Sequence, residues 1–131
     1  MRITGLYAAL CALLIVVLAL RVAYYRISRK VGVGDNGDRA LIKLIRAHGN
    51  AVENVPIALL LLLLLELNQT QPLWIHACGI ILVIGRIAHA IGLSRSTGAS
   101  LARMIGVTLT WGVILVMAVL LLWQYLVLHP L

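Results

Sequence analysis

Four long apolar stretches follow one another along the chain, and short polar segments separate them. The stretches cover residues of about 3–25, 40–67, 73–93 and 101–128. Each is at or above the roughly 20 residues that an α-helix needs to cross a bilayer. Because backbone polar groups in lipid must be satisfied within the segment, apolar stretches of this length are helical. The pattern predicts an all-α fold, an integral membrane four-helix bundle with four transmembrane helices.

The composition agrees with this pattern and excludes an ordinary soluble domain. Hydrophobic residues make up 63% of the 131 residues, and only 11 residues are basic and 4 acidic. Four spans with short loops use the whole length, which predicts a single transmembrane domain over residues 1–131. The first stretch exceeds the apolar core of a typical signal peptide, so we interpret it as a retained helix.

The positions of the basic residues predict the orientation of the spans. The loops after the first and third spans are basic, whereas the loop of residues 68–72 has no charge. The basic residues concerned are Arg26, Arg29, Lys30, Arg39, Arg95 and Arg103. Basic loops stay in the cytoplasm, which predicts an N-out/C-out topology with Arg2 as the exception. Since these residues flank apolar spans and form no solvated patch, the net charge of +7 does not indicate nucleic-acid binding.

Two features that resemble chemical motifs have a simpler interpretation. Residues 32–37 match the pattern GxGxxG, which has meaning only between a strand and a helix. Between two membrane spans it predicts a flexible turn, with Asp38 as the N-cap of the second helix. Cys11 and Cys78 lie in apolar runs without the spacing of a zinc site or a disulfide framework. We therefore predict packing roles for both cysteines and no metal site.

Polar residues inside the second and third spans are the candidates for function. Ionisable groups in a bilayer persist mainly where they face a partner, a cavity or a ligand. The short loop between these spans predicts an antiparallel hairpin, and counting from the loop gives the residues at equal depth: Glu53 with Arg86, Asn50 with His89, and Arg46 with Leu93. An ion pair between Glu53 and Arg86 would stabilise both charges. A purely structural pair and a pair within a ligand site both agree with this count.

Three polar residues of the second span share one helix face. Arg46, Asn50 and Glu53 are spaced i, i+4 and i+7. His48 lies about 200° around the helix from Arg46, so it faces elsewhere, and we assign it a structural role. The shared face predicts a site that contains Arg46, Asn50 and Glu53.

The charges around this face constrain the ligand. On the third span Arg86 and His89 are three residues apart and also share a face. Arg26 and either Arg95 or Arg103 join Arg46 at the cytoplasmic side. This concentration of arginine suits an anionic ligand that carries carboxylates.

Membrane anchors that follow the positive-inside rule explain the same residues equally well, and we interpret Arg29, Lys30 and Lys43 as anchors. Arg46 fits the ligand interpretation best, because it aligns with Asn50 and Glu53.

The same residues resemble the signature of the MAPEG family, the membrane-associated proteins in eicosanoid and glutathione metabolism. That signature reads R-x-H-x-N-x-x-E-x-x-P, and its specified positions are occupied here by Arg46, His48, Asn50, Glu53 and Pro56. The segment of residues 85–89, Gly-Arg-Ile-Ala-His, is similar to the corresponding part of the microsomal prostaglandin E synthase branch. Length and order of spans agree over nearly the whole chain. The chain is similar to a bacterial inner-membrane member of unassigned substrate.

The resemblance implies a homotrimer that binds glutathione between subunits, in a site open to the cytoplasm. The positions that match the family's glutathione contacts are Arg26, Arg46, Asn50, Glu53 and His89, while Arg86 and His48 would be structural. An arginine near the start of the fourth span would stabilise the glutathione thiolate. Arg103 is the best match for this catalytic role, with Arg95 as the alternative.

Two positions depart from the family pattern. Family members commonly carry tyrosines on the third span and just after the signature glutamate, where this chain has Leu93 and Asn54. We expect a glutathione-dependent transferase or peroxidase that acts on lipophilic electrophiles or lipid hydroperoxides. A non-catalytic lipid-binding scaffold of the same fold is the alternative, and a small proton-coupled transporter that uses the buried glutamate is a third. An arginine level with Glu53 argues against the transporter, because it would hold the carboxylate ionised.

Overall fold

A computed structural model describes residues 2–95 and 100–128, without the side chains of Arg95 and Leu128. Its four helices are α1 (Ile3–Arg29), α2 (Arg39–Leu67), α3 (Pro72–Arg95) and α4 (Leu101–Leu128). All four are long and apolar enough to cross a membrane, and the described residues contain no strand. The predicted all-α class and four spans are confirmed. The clearest difference in boundary is at α1, which continues one turn beyond the predicted end to Arg29.

The loop between α1 and α2 is a turn, as predicted, and Asp38 caps α2. The Asp38 carboxylate accepts hydrogen bonds from the backbone N–H of Ala40 at 2.8 Å and of Leu41 at 3.4 Å. Gly34 and Gly37 have φ angles of 74° and 71°, a region that glycine enters without steric cost. The two glycines therefore allow the chain to reverse between adjacent helices.

Helices α3 and α4 share the most extensive interface, and glycines let their backbones approach closely. A Cβ at Gly106 on α4 would collide with the backbone of His89 on α3. A Cβ at Gly92 on α3 would collide with the backbone of Arg103 on α4. Small residues at such contacts are characteristic of helix packing in membranes. The consequence for function is that His89 and Arg103 are brought to one end of the bundle.

The two ends of the bundle differ in charge. We call the end where α1 and α3 finish and α2 and α4 begin the basic end. At the opposite end Glu66 of α2 caps α1 by accepting hydrogen bonds from the backbone N–H of Ile3 and Thr4, the latter at 2.9 Å. Gln124 of α4 accepts from the side chain of Asn68 at 2.9 Å and donates to that of Thr70 at 2.8 Å. These bonds fix the short loop between α2 and α3.

The core lies between these ends and includes both cysteines. Cys11 and Cys78 are free and buried, in a cluster that also contains Leu62, Leu82 and Met117. Their predicted packing role is confirmed. Each helix also exposes large apolar side chains on its outer face, as expected for a surface in contact with lipid.

Candidate functional site

A cavity of about 360 Å³ opens at the basic end between α2, α3 and α4. Its lining residues are Arg39, Ile42, Lys43, Arg46, Asn50, His89, Leu93 and Arg103. Four residues that the sequence nominates, Arg46, Asn50, His89 and Arg103, therefore meet at one site. Four lining residues are cationic and none is acidic, so the cavity is suited to an anion.

The α2 wall of the cavity is longer than the sequence interpretation predicted. Arg39 and Lys43 line it in addition to Arg46 and Asn50. The spacing from Arg39 through Lys43 and Arg46 to Asn50 is four, three and four residues, which keeps all of them on one helix face. The same periodicity is visible in the sequence, where Arg39 is one of the basic residues that predict the orientation and Lys43 has the ordinary role of a membrane anchor.

Arg86 lies beneath the cavity in a network that connects three helices. Its side chain is only 2% exposed. Its guanidinium donates to Asn50 Oδ1 at 2.8 Å and to the Asn50 backbone carbonyl at 3.3 Å. Its Nε donates to Thr110 Oγ1 on α4 at 3.0 Å, and the Thr110 hydroxyl donates to the Gly106 carbonyl at 2.8 Å. Arg86 therefore holds α2, α3 and α4 together at this depth.

The predicted ion pair between Glu53 and Arg86 is wrong. Glu53 is exposed on the outer face of α2, and Arg86 pairs with the asparagine one turn earlier. The number of residues between a position and the α2–α3 loop gives the depth of that position in the membrane, but not the direction in which its side chain points from the helix axis. Glu53 is two residues from each of the buried Ala51 and Val55, which places it about 200° around α2 from both. It consequently faces away from the core and from Arg86.

The network also determines which atoms Asn50 offers to a ligand. Arg86 can only donate hydrogen bonds, so the Asn50 oxygen must face it. The Asn50 amide NH₂ is then the polar group of this side chain that remains at the cavity wall. Asn50 can donate to a carbonyl or carboxylate there.

His89 and Leu93 form the α3 wall of the cavity. They are 3% and 7% exposed, and the backbone of His89 lies against Gly106. No hydrogen bond to the His89 ring is formed within residues 2–95 and 100–128. The ring nitrogens therefore remain for a ligand, whereas Leu93 contributes only an aliphatic surface.

The other nominated residues lie outside this cavity. Arg26, near the end of α1, donates to the Gly34 carbonyl at 2.7 Å and lines a separate surface pocket. His48 is partly buried and does not line the cavity, in keeping with its predicted direction. Arg103 lines the cavity from the first turn of α4. The alternative, Arg95, has a side chain outside the described residues.

Asn54 connects the site to the exposed surface of α4. Its side-chain nitrogen donates to the Asn50 carbonyl at 2.8 Å, and its oxygen accepts from the Trp111 indole N–H at 3.1 Å. Trp111 is 62% exposed. This contact joins residues far apart in the chain, so no local sequence pattern predicts it. Asn54 is thus part of the network that positions Asn50.

The described residues contain no group of histidine, cysteine and acidic side chains that could hold a metal ion. The polar side chains that line the cavity are three arginines, a lysine, a histidine and an amide. These groups bind anions and stabilise developing negative charge.

Comparisons with known proteins agree with a chain that spans a membrane. A family model described as "MAPEG family" matches residues 4–123. The inner membrane protein YecN of Escherichia coli (strain K12) is 38% identical over 121 residues, which are 92% of this chain and 91% of that protein. The inner membrane protein YecN of Escherichia coli O6:H1 matches with the same identity and coverage. With its four helices of membrane-spanning length, the chain is a multi-pass inner-membrane protein.

Proposed function

Because the chain belongs to the MAPEG family, we propose that it is a glutathione-dependent transferase or peroxidase acting on lipophilic substrates from the bilayer. Membership supports a glutathione-related role in the membrane in general. The observation that carries the specific proposal is the cavity in which Arg46, Asn50, His89 and Arg103 meet.

The residues around the cavity fit glutathione by charge and by hydrogen-bonding capacity. Glutathione carries two carboxylates, and its activated form adds a thiolate. Arg46 would bind one carboxylate, since guanidinium groups bind carboxylates through paired hydrogen bonds. The Asn50 amide NH₂ would donate to a peptide carbonyl or to a carboxylate. Arg39 and Lys43 place further positive charge at the same wall, and His89 supplies a ring nitrogen.

Arg103 would activate the thiol. A cation near a sulfur lowers the pKa of the thiol and favours the nucleophilic thiolate. In a transfer reaction the thiolate sulfur bonds to the electrophilic carbon of the lipophile, and the leaving group or opened ring takes the electron pair. In a peroxidase reaction it attacks the terminal peroxide oxygen and the O–O bond breaks. The sulfur becomes a sulfenic acid, and the lipid alkoxide takes a proton from water and leaves as an alcohol. The thiol of a second glutathione then reduces the sulfenic acid, which gives the disulfide and water.

We further propose that the active form is a homotrimer in which neighbouring subunits complete the site. Glu53 is an ionisable residue on the exposed face of a membrane-spanning helix. Such residues in a bilayer face a partner or a water-filled cavity. Glu53 would bind the glutathione amino group, and Arg26 would reach a site from the neighbouring subunit, because it lies outside the cavity of its own. The basic end would face the cytoplasm, as the positive charge of its loops predicts.

A second candidate function, a non-catalytic lipid-binding scaffold, rests on Leu93 and Asn54. Leu93 lines the cavity and offers no hydroxyl to a ligand. Asn54 is engaged by Trp111 and by Asn50. Under this alternative the protein binds a lipophile with no thiolate formation.

The test is glutathione binding to detergent-purified protein, with thiolate followed by its ultraviolet absorbance. Wild type is compared with Arg46→Ala, Glu53→Gln and Arg103→Ala. Arg29→Ala is the matched control, since it removes an arginine at the basic end outside the cavity. The proposal expects loss of binding in Arg46→Ala, loss of thiolate with retained binding in Arg103→Ala, and no change in Arg29→Ala. If the wild-type protein binds a lipophile but forms no thiolate, the result supports the non-catalytic lipid-binding scaffold instead.

A further inference from the structure

A second concave surface lies between α3 and α4, separate from the candidate site. This groove has a volume of about 280 Å³. On α3 it runs from Trp74 to Ile81, and on α4 from Thr108 to Val116. It shares no lining residue with the cationic cavity. A different ligand chemistry therefore applies to it.

The lining of the groove is almost entirely apolar. Its lining residues include no charged side chain, and the ones that carry a polar side-chain atom are Trp74, Cys78 and Thr108. Both walls lie within membrane-spanning segments. A ligand in the groove would contact hydrocarbon, and the groove has no charged side chain that could neutralise a charged ligand.

Small side chains produce the groove. A Cβ added at Gly112 would meet no atom of the described residues within 4 Å, and Ala77 lies on the facing helix. In contrast, Gly85, Gly92 and Gly106 in the same helix pair are in close contact with the opposite backbone. The interface is thus tightly closed at one set of glycines and open at Gly112.

The length and position of the groove fit one lipid chain. The seven residue steps from Trp74 to Ile81 correspond to about 10 Å of helix, and the hydrocarbon core of a leaflet is about 15 Å thick. Trp74 lies near the start of α3 and is exposed, as tryptophans at the membrane interface are. An acyl chain that enters at Trp74 would follow the groove towards the middle of the bilayer. A groove of two helical turns is too short for the extended contact that a helix of a second copy would make.

We propose that the α3–α4 groove is a discrete binding site for one acyl chain of a membrane lipid, in the leaflet opposite the basic end. The site is independent of glutathione. The acyl chain is held by van der Waals contact with the walls of the groove, because its transfer from the bilayer into the groove gives no hydrophobic gain. Filling the space at Gly112 should therefore remove the site without disturbing the cationic cavity.

The experiment uses a phospholipid spin-labelled in the middle of its acyl chain, titrated into detergent-purified protein while tryptophan fluorescence is measured. Wild type should show saturable quenching with about one lipid per chain, and Trp74→Phe should lose the saturable part. Gly112→Leu should weaken binding by roughly tenfold or more, which corresponds to 1.4 kcal/mol. Gly5→Leu is the matched control, since a Cβ at Gly5 on α1 also meets open space, and its binding should equal that of wild type.

Ala77→Leu is a second filling variant, so the test survives if Gly112→Leu folds poorly. Quenching that rises without saturation, equally in all variants, would show only general lipid contact and would overturn the proposal. A reduced oligomer mass for Gly112→Leu would assign the groove to a second copy of the chain. Displacement of the probe by a lipophilic electrophile and not by unlabelled phospholipid would assign it to a substrate.

Discussion

Arg86 on α3 donates a 2.8 Å hydrogen bond to the side-chain oxygen of Asn50 on α2, and this bond, rather than an ion pair with Glu53, joins the buried arginine to a residue that lines the cavity. The arginine is buried and also donates to Thr110 on α4. A buried guanidinium is stable when several acceptors share its protons. Here backbone and side-chain oxygens of neutral residues supply those acceptors.

Replacing Arg86 by alanine should affect both stability and ligand binding. The variant leaves Asn50 Oδ1 and the buried Thr110 Oγ1 without the hydrogen bonds that Arg86 donates, and a lost hydrogen bond at a buried polar group costs about 1–3 kcal/mol. Because Asn50 is then free to rotate, glutathione affinity should fall as well. Thermal unfolding in detergent and a glutathione titration measure the two effects. Thr110→Val removes only one acceptor of Arg86 and should have the smaller effect on affinity, whereas equal losses in both variants would refute a positioning role for Arg86.

The close approach of α3 and α4 can be tested with two glycines of the same helix. A Cβ at Gly106 would collide with the His89 backbone, whereas a Cβ at Gly112 meets no described atom within 4 Å. Gly106→Ala should therefore destabilise the protein by about 1–3 kcal/mol, the usual cost of overpacking. Gly112→Ala should leave stability unchanged or raise it slightly, since alanine favours the helix. Unfolding of both variants in the same detergent gives the comparison, and similar stabilities would contradict the packing described.

Hydropathy alone predicted the fold, because lipid leaves few alternatives to helices of this length. The cap at Asp38 was also predictable, since its bonds are to residues two and three positions away. The cap of α1 by Glu66 was not, because the two partners are more than 60 residues apart in sequence. Contacts of this kind depend on how helices rotate against each other, which periodicity does not determine.

In the candidate site, too, the features that depend on local spacing were predictable, and those that depend on how the helices are rotated were not. Spacing along α2 correctly grouped Arg46 with Asn50, and the hairpin correctly brought His89 to them. Counting residues from the loop failed for Glu53, because depth in the membrane does not specify the direction of a side chain. Arg39 and Lys43 were missed since a cation at a membrane interface has an ordinary role as an anchor. Only the shape of the cavity distinguishes those two from the other basic residues.

The junction of α1 and α2 should be sensitive to acid. The Tyr25 hydroxyl donates to Asp38 at 2.8 Å, and this bond, followed by the bond from the Ala40 N–H, lowers the pKa of Asp38 from its usual 3.8. Since the pKa is lower in the folded protein, the carboxylate contributes its full stabilisation above the usual pKa of 3.8, and this contribution is lost as pH falls through the lowered pKa. Asp38→Asn keeps an N-cap acceptor but does not titrate. As the pH falls below the usual pKa of Asp38, the melting temperature should decrease less for Asp38→Asn than for wild type. Parallel curves of melting temperature against pH for the two proteins would disprove this role of the Asp38 carboxylate.

Subunit complementation tests whether the proposed site is shared between chains. Arg26 is held by the Gly34 carbonyl, and it does not line the cavity that contains Arg103 of its own chain. If Arg26 acts in a neighbouring site, Arg26→Ala and Arg103→Ala chains that assemble together must form some sites with both arginines intact. Each variant alone should fail to form glutathione thiolate, and co-expressed variants should recover part of the thiolate absorbance. Recovery requires that the two residues come from different subunits. Mixed oligomers without recovery, although each variant assembles normally, would place both arginines in one chain and refute the shared site.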